Sequence, residues 1–442
     1  MLAVNSTDVE AKVFAKLAEC CLTPGHKVAV AFSGGGDSTA LLALMLKWSE
    51  SSHVFAFIVD HSLRAGSDKE AQLAEKRALA MGAQTRVLKC GWPDGIPTTG
   101  IQEKARNARY QLLGDACREQ GIKNLLLGHN EDDQAETVLM RQQAGSGWRG
   151  LAGMKARSKS PIWPALYGVN VLRPMLNCGR GELRSYNKKN DLKWIDDPSN
   201  ENCSFARIRA REYLSSDVPE RQNLLITSKA ASAVLAQEQR AIAKFIQDYT
   251  VVYEWRGFVL LPQFYAGKLG QIAEALKYIL PALSGESLPP DYGKRMNLAR
   301  RIRNQNFSGA TLGGMRLVPR TEDILCVRDL GGLTGRAEKQ ALLPLQLTPA
   351  QTEIWDGRFA VTSEQDGVFV DALANWFHSL DEMQKRRLKS LAEPVRGSLP
   401  VFIQNNEIVH MPYIDSSIDA AGFKVRSLSH ERLHALLGEN YR

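Results

Sequence analysis

The sequence predicts an α/β protein: a doubly wound parallel sheet first, then a helical domain and a small mixed α/β C-terminal domain. Three observations carry this. Across residues 1–215, short apolar runs suited to buried strands alternate with stretches of helical period. One run, Val28-Ala29-Val30-Ala31-Phe32, passes directly into Ser33-Gly34-Gly35-Gly36-Asp37-Ser38 and then into an Ala/Leu-rich helix over 39–48. After Asp217-Val218-Pro219 the alternation gives way to helical spacing of Leu224, Ser228, Ala231, Leu235, Ile242 and Phe245.

The elements follow in order. Residues 53–59 are a continuous apolar run, the pattern of a buried parallel strand. Ala71, Ala74, Ala78 and Met81 set a helix over 67–81, with Ser67 placed to cap it. A short strand is expected at 85–88, a long basic helix at 102–120, a buried strand at 125–127 and a helix at 132–142. Ser33, Asp60 and His129 then fall just beyond strand ends, where sheets of this kind bind ligands. A helix-rich part runs to about 327, and Leu330-Gly331-Gly332-Leu333-Thr334-Gly335 reads as a linker. Strands at 359–361, 368–370 and 401–403 and a helix at 381–391 complete the chain. The expected domains are 1–215, 216–329 and 345–442.

Composition narrows the function. With 442 residues, 44% hydrophobic and 24% charged, the chain suits two or three ordinary folded domains. The net charge of +8 is too dilute to identify a nucleic-acid partner by itself. Seven cysteines with no C-x-x-C pair argue against a disulfide framework or a clustered metal site. Residues 1–12 have no apolar core, and no apolar run nears the ~18 residues that span a bilayer, so a cytoplasmic protein without a membrane partner is expected.

The glycine loop is the chemical centre of this reading. Glycines let backbone approach a ligand closely, and the free N–H groups of a helix start face an anion. No lysine follows the glycines, so the loop is not the kinase-type G-x-x-x-x-G-K-[ST]. Asp37 serves either as a helix cap or as a carboxylate for Mg2+ beside a polyphosphate; three glycines and two serines favour the second. Asp60, in Asp60-His61-Ser62-Leu63-Arg64, is either a turn former or a site residue. In His129-Asn130-Glu131-Asp132-Asp133-Gln134-Ala135-Glu136-Thr137, the residues His129, Asp133 and Glu136 share one helical face if the helix reaches that far. A lone histidine makes zinc a poor fit, whereas carboxylates with phosphate oxygens suit a hard cation. Arg106, Arg109, Arg141 and Arg149 are placed to stabilise charge in phosphoryl or adenylyl transfer. Lys294-Arg295, Arg300-Arg301, Arg303, Arg316 and Arg320, and later Lys385-Arg386-Arg387, Lys389 and Arg396, are each solvated helix faces taken singly; together they suit an extended RNA contact.

These residues resemble a known family. Ser-Gly-Gly-x-Asp-Ser after the first strand is similar to the pyrophosphate loop (PP-loop) of the N-type ATP pyrophosphatases, the adenine nucleotide alpha-hydrolase-like fold. The chain more specifically resembles the tRNA(Ile)-lysidine synthetases. That match includes 59–64, Arg106-Asn107-Ala108-Arg109-Tyr110, 129–137, Gly150-Leu151-Ala152-Gly153-Met154, Arg173-Pro174-Met175-Leu176, Asp197-Pro198-Ser199-Asn200 and Pro394-Val395-Arg396-Gly397-Ser398-Leu399-Pro400. It departs at Arg207-Ile208, where the family often has Arg-Asn. The resemblance implies ATP, Mg2+, L-lysine and a tRNA(Ile) with a CAU anticodon, in the cytoplasm, with a homodimer among the expectations. Cytidine-34 would be adenylated at C2 with loss of pyrophosphate, and the lysine ε-amine would then displace AMP. It implies that Ser33, Gly34, Gly35, Gly36 and Ser38 hold pyrophosphate, with Asp60 and Arg64 also at the nucleotide. Asp37 and Asp133 would hold the metal, His129 and Arg207 would meet the cytosine or α-phosphate, and Arg109 would stabilise charge.

Three alternatives stand beside it. A tRNA thiolation enzyme would need catalytic cysteines, and none lies in the loop or in 129–137. An amidotransferase would need a glutaminase module, and none is evident. A non-catalytic RNA-binding relic would not need an intact loop.

Overall fold

The computed structural model describes residues 6–92, 95–195, 206–253, 255, 257–335, 340–413 and 422–438. They form two compact units, Met1–Gln237 and Glu238–Arg442.

The first unit opens with α1 (Ser6–Glu19), β1 (Val28–Ala31), α2 (Gly36–Trp48), β2 (Val54–Asp60), α3 (Ser67–Ala80) and β3 (Gln84–Lys89). It continues with α4 (Ile101–Glu119), β4 (Asn124–Leu126), α5 (Glu131–Gln143), α6 (Trp148–Leu151), β5 (Arg157–Lys159), β6 (Asn170–Leu172), α7 (Arg180–Lys189) and α8 (Ala206–Ser216). The last helix, α9 (Val218–Tyr249), runs past the boundary. The strands form one sheet in the order β3-β2-β1-β4-β6-β5, parallel except for β5. From β1 the chain steps to β2 and β3, then returns through α4 to place β4 on the other side of β1. The ends of β1 and β4 are therefore the switch point of the sheet, where a crevice opens.

Side-chain alternation builds the two faces. Val28, Val30, Ala56, Ile58 and Leu126 pack with Leu17, Leu41, Leu44 and Leu183 on one side. Ala29, Ala31, Phe55, Phe57 and Leu125 pack with Tyr110, Leu113 and Cys117 of α4 on the other. Both faces are covered, so the strands read as unbroken apolar runs. α4 lies close to its neighbouring loop because of Gly114, where a Cβ would stand 2.0 Å from the Ala165 carbonyl oxygen. One expected detail changes: the cap of α3 is Gly66, at φ 88°, while the Ser67 hydroxyl bonds Asp60.

The second unit begins with β7 (Thr250–Tyr253), β8 (Gly257–Leu260), α10 (Pro262–Ala266), α11 (Leu269–Ser284), α12 (Tyr292–Ile302), β9 (Ala310–Leu312), β10 (Met315–Pro319) and β11 (Ile324–Arg328). It ends with β12 (Leu345–Gln346), β13 (Thr352–Trp355), β14 (Phe359–Ser363), β15 (Phe369–Ala372), α13 (Glu382–Leu388), α14 (Glu393–Arg396), β16 (Pro400–Gln404), β17 (Glu407–His410), β18 (Phe423–Ser427) and α15 (Ser429–Leu437). The helices 262–302 share their region with an antiparallel sheet, β7-β8-β11-β10-β9, that periodicity did not foretell. One face of it packs with α11, α12 and α15 through Phe258, Leu276, Ile279, Leu298 and Leu433. The other presents Val259, Leu325 and Val327 to Trp355, Phe359, Val370 and Val401 of two further sheets, β12-β15-β16-β17 and β13-β14-β18. Stretch 330–335 is not an open tether, because Leu333 is fully buried in that core. Polar groups join the same layers: Asp356 receives both Arg328 and Arg358, which also donate to the carbonyls of Gly314 and Ser398.

Candidate active site

The Ser33–Ser38 loop lies at the switch point. Gly34 takes φ 78°, and its Cβ would strike Ile195 Cδ1 at 2.8 Å, so two requirements select glycine there. The two loop serines hold each other at 3.2 Å, and the Ser38 hydroxyl donates to the Gly35 carbonyl at 2.9 Å. α2 starts at Gly36, so its first-turn N–H groups have no intrahelical acceptor. Asn187 donates to the Gly36 carbonyl from 151 residues away, and the Trp194 ring lies against Gly36. Gly128, ending the β4 connection, completes the cradle: a Cβ would sit 3.2 Å from the Ser38 nitrogen.

The 129–137 segment stands beside this loop. Asn130, not a helical residue, caps α5: its Oδ1 accepts from Asp133 N–H at 2.9 Å, while the Asp133 carboxylate accepts from Asn130 N–H at 3.0 Å. His129 therefore precedes the helix and does not share its face, whereas Asp133 and Glu136 do meet common partners. Arg180 reaches Asp133 at 3.2 Å and Glu136 at 3.3 Å and approaches Asp37 at 3.9 Å. Arg207 meets Glu136 at 2.9 Å and Asp133 at 3.3 Å, and Arg211 meets Glu136 at 2.9 Å. Glu136 is 1% exposed, so all three arginine contacts to it are made away from bulk water. Burial lifts the Asp37 carboxyl to about 6; Asp133 pushes the same way, and Arg180 opposes. Burial works against the charge of Arg180, but Asp133, Glu136, Asp37 and Asp132 hold its pKa above the ordinary value. His129 is driven down to about 3 by burial and by Arg173, Arg207, Arg109 and Arg106. It is a neutral imidazole at pH 7.

A cavity of about 530 Å³ adjoins the loop, between the ends of β1 and β2 and α3. Phe57, Ile58 and Ala74 give it an apolar lining, and Ser33, Asp60 and Arg109 give it polar edges. Asp60 is buried and accepts from Ser62 N–H at 2.8 Å. Burial raises its pKa, but the bonds from Ser67 and Ser62 and the charge of Lys89 bring it below the usual carboxylate value. Arg64 lines the cavity while paired with Glu70 at 2.9 Å. Burial and neighbouring Arg106 hold Arg109 below its ordinary value.

Other expected residues make contacts of their own. Arg141 donates to the carbonyls of Gly150 and Gly153, which shapes that loop. Arg149 stacks on the Trp148 ring at 4.9 Å. Arg295 is buried and donates to the Ala273 and Pro290 carbonyls, so it is withdrawn from any RNA face, and Arg320 forks onto Asp323. Arg300, Arg301 and Arg303 remain exposed, as do Arg386 and Arg387. The motif Asp197-Pro198-Ser199-Asn200 lies outside the described residues; Ile195, just before it, donates its N–H to the Gly34 carbonyl at 2.8 Å. Among site residues not singled out from sequence, Gly128 had a signal, a glycine ending a central strand. Arg180, Arg211, Asn187 and Trp194 had none, because only the fold brings them to the loop.

A lysine-free glycine loop at the switch point of a parallel sheet, beside a nucleoside-sized cavity, defines an enzyme domain of the PP-loop, ATP-using class. Comparison agrees: the family described as a PP-loop domain matches residues 5–218. The tRNA(Ile)-lysidine synthase of Caulobacter vibrioides is 33% identical over 417 residues, 93% of each chain. That of Hyphomonas neptunium is 34% identical over 74% of this chain and 88% of its own, and that of Wolbachia pipientis 33% over 76% and 77%. A solved U34-tRNA thiolase from Methanococcus maripaludis gives a TM-score of 0.43 at 18% identity, over 52% of this chain and 78% of that one. The chain belongs to the tRNA(Ile)-lysidine synthase family.

Proposed function

We propose that the protein joins L-lysine to C2 of cytidine-34 in the CAU anticodon of tRNA(Ile), through an adenylated cytidine, releasing AMP and pyrophosphate. The observation that supports the ATP half of this reading is the cradle, with its serines, unpaired helix N–H groups and close Gly128 at the switch point of the sheet; the tRNA half is supported by membership of the tRNA(Ile)-lysidine synthase family. ATP would place its nucleoside in the cavity and its β- and γ-phosphates on Ser33, Gly34, Gly35, Gly36 and Ser38. Asp60, Arg64 and Arg109 edge the nucleotide.

The residues present fit a Mg2+ ion held jointly with substrate oxygens. No group of three or more metal-binding side chains forms among the described residues. Mg2+ commonly takes one or two carboxylates plus phosphate oxygens. Asp37, a desolvated carboxyl whose charge is favoured by a bond from the Asn130 side chain, and Asp133 supply the two. When bound, the ion would offset charge on the polyphosphate.

His129 and Arg207 are then assigned to the reacting α-phosphate and cytosine, and Arg109 to the charge that develops as pyrophosphate departs. Neutralising the lysine amine, of pKa ~10.4, costs about 4.6 kcal/mol at pH 7. Asp60 is occupied by Ser62, and Glu136 by three arginines. Asp133 also accepts from Asn130 N–H and meets two arginines, so Asp133, Asp60 and Glu136 all stay candidates to receive that proton. The base must be unstacked to enter, as an anticodon loop allows. Residues 1–215 would carry the chemistry, and 216–329 and 345–442 the tRNA contacts. A cytoplasmic homodimer belongs to the same reading; no helix among the described residues is long and apolar enough to cross a membrane. Thiolation is disfavoured because no cysteine lies in the glycine loop or in 129–137 and no C-x-x-C pair occurs.

The test is ATP-dependent transfer of radiolabelled lysine to a cytidine-34 isoleucine tRNA. Stoichiometric AMP and pyrophosphate are expected. Absence of transfer while ATP and tRNA both bind would overturn the proposal.

A further inference from the structure

We propose that Arg173 is a positioning residue that fixes His129 as an imidazole protonated on Nε2 alone. That N–H would then serve as a stationary hydrogen-bond donor to an oxygen of the α-phosphate, not as an acid, a base or a metal ligand. The inference rests on the adenylation reading above and deepens it.

The geometry is direct. Arg173 Nε donates to His129 Nδ1 at 3.2 Å. A guanidinium has donors only, so Nδ1 must be the acceptor and carry no proton. A neutral imidazole has one N–H, which is left on Nε2. Arg173 is itself held in place. It directly follows β6, its backbone N–H donates to the Ala156 carbonyl at 2.8 Å, and its Nη1 donates to the Lys155 carbonyl at 3.0 Å. The charges that face His129 are Arg173 after β6, Arg207 on α8, and Arg109 and Arg106 on α4. A second proton on the ring would add a fifth positive charge to that group. A negative phosphoryl oxygen is the ligand such a setting favours, and a neutral donor meets it without needing to change protonation. Metal ligation through Nδ1 is blocked by the Arg173 bond.

Two measurements decide it. In the unliganded wild-type protein, 15N NMR of labelled imidazole should show His129 with Nδ1 bare and Nε2 protonated, unchanged from pH 8 to pH 5. A ring that becomes doubly protonated near pH 6, or that carries its proton on Nδ1, would overturn the proposal without reference to catalysis. The second measurement is tRNA-dependent pyrophosphate release by His129→Gln and His129→Asn, with thermal midpoints taken in parallel. The Gln amide reaches the Nε2 position and should stay within about tenfold of wild type. The Asn amide reaches only the Nδ1 position and should fall by about 10²–10³. Equal loss in both variants would remove the donor role. Arg173→Met should release the tautomer, with a new Nδ1–H signal and a fall in kcat larger than any rise in KM for ATP. An unaltered imidazole spectrum would refute the role of Arg173. A wild-type protein that releases no pyrophosphate at all would instead defeat the adenylation reading, and the spectrum would still judge the tautomer.

Discussion

At pH 7 the Asp37 carboxylate is charged even though burial has raised its pKa to about 6. The folded state therefore holds that proton more tightly than the unfolded chain, whose value is near 3.8. The resulting penalty on folding is full above about pH 6 and vanishes below about pH 4. Asp37→Asn should consequently be more stable than wild type at pH 8, by up to about 3 kcal/mol, while losing pyrophosphate release. Thermal midpoints between pH 4 and pH 8 check this: the advantage should shrink toward zero on acidification, and a variant less stable at pH 8 contradicts it. If Asp37 holds the cation proposed above, binding of that cation would offset the penalty. Asp37, Ser33 and Ser38 were legible because strand, loop and helix start are contiguous. The arginines that balance Glu136 were not, because Arg180 lies 44 residues from it, Arg207 71 and Arg211 75, and no spacing rule spans such gaps.

Among the elements, two helical glycines make opposite predictions. Gly114 in α4 faces the Ala165 carbonyl, and any Cβ there collides at 2.0 Å. Gly114→Ala should cost about 2 kcal/mol or more through forced separation of helix and loop. Gly181 in α7 has nothing within 4 Å of its would-be Cβ. Gly181→Ala should instead stabilise by about 0.5–1 kcal/mol, because it restricts the unfolded chain. Urea midpoints of the two variants check both signs. The parallel strands and their helices were readable because burial on both faces makes apolar runs continuous. The sheet β7-β8-β11-β10-β9 was not: its strands have only three to five residues, and the stronger helical period of α11 and α12 interrupts them. Arg295 shows the same limit, since its α12 face proved to be the buried one.

Over the whole molecule, the positive excess is usable only where side chains reach solvent. Arg386 and Arg387 meet that condition and edge an open hollow with Met383, Ser390 and Tyr413. Charge reversal at both, to Glu, should weaken tRNA binding and flatten the slope of log K against log salt by roughly one for each phosphate no longer neutralised. Binding titrations from low to moderate salt check it, and an unchanged slope would return this face to plain solvation. The sequence could point to such basic stretches but could not sort them, because withdrawal of Arg295 and pairing of Arg320 are tertiary events.

The arrangement around Glu136 also has a history in time. A ribosome delivers Glu136 well before Arg180, Arg207 and Arg211. Until those three emerge, Glu136 lacks its arginine partners, and α5 cannot seal its polar side. The nascent sheet can assemble its apolar faces early, yet the charged pocket must wait for α8. Chain growth thus makes the charged cluster around Glu136 a late part of this unit to close, followed only by the α9 residues, such as Leu224 and Ser228, that pack beside it.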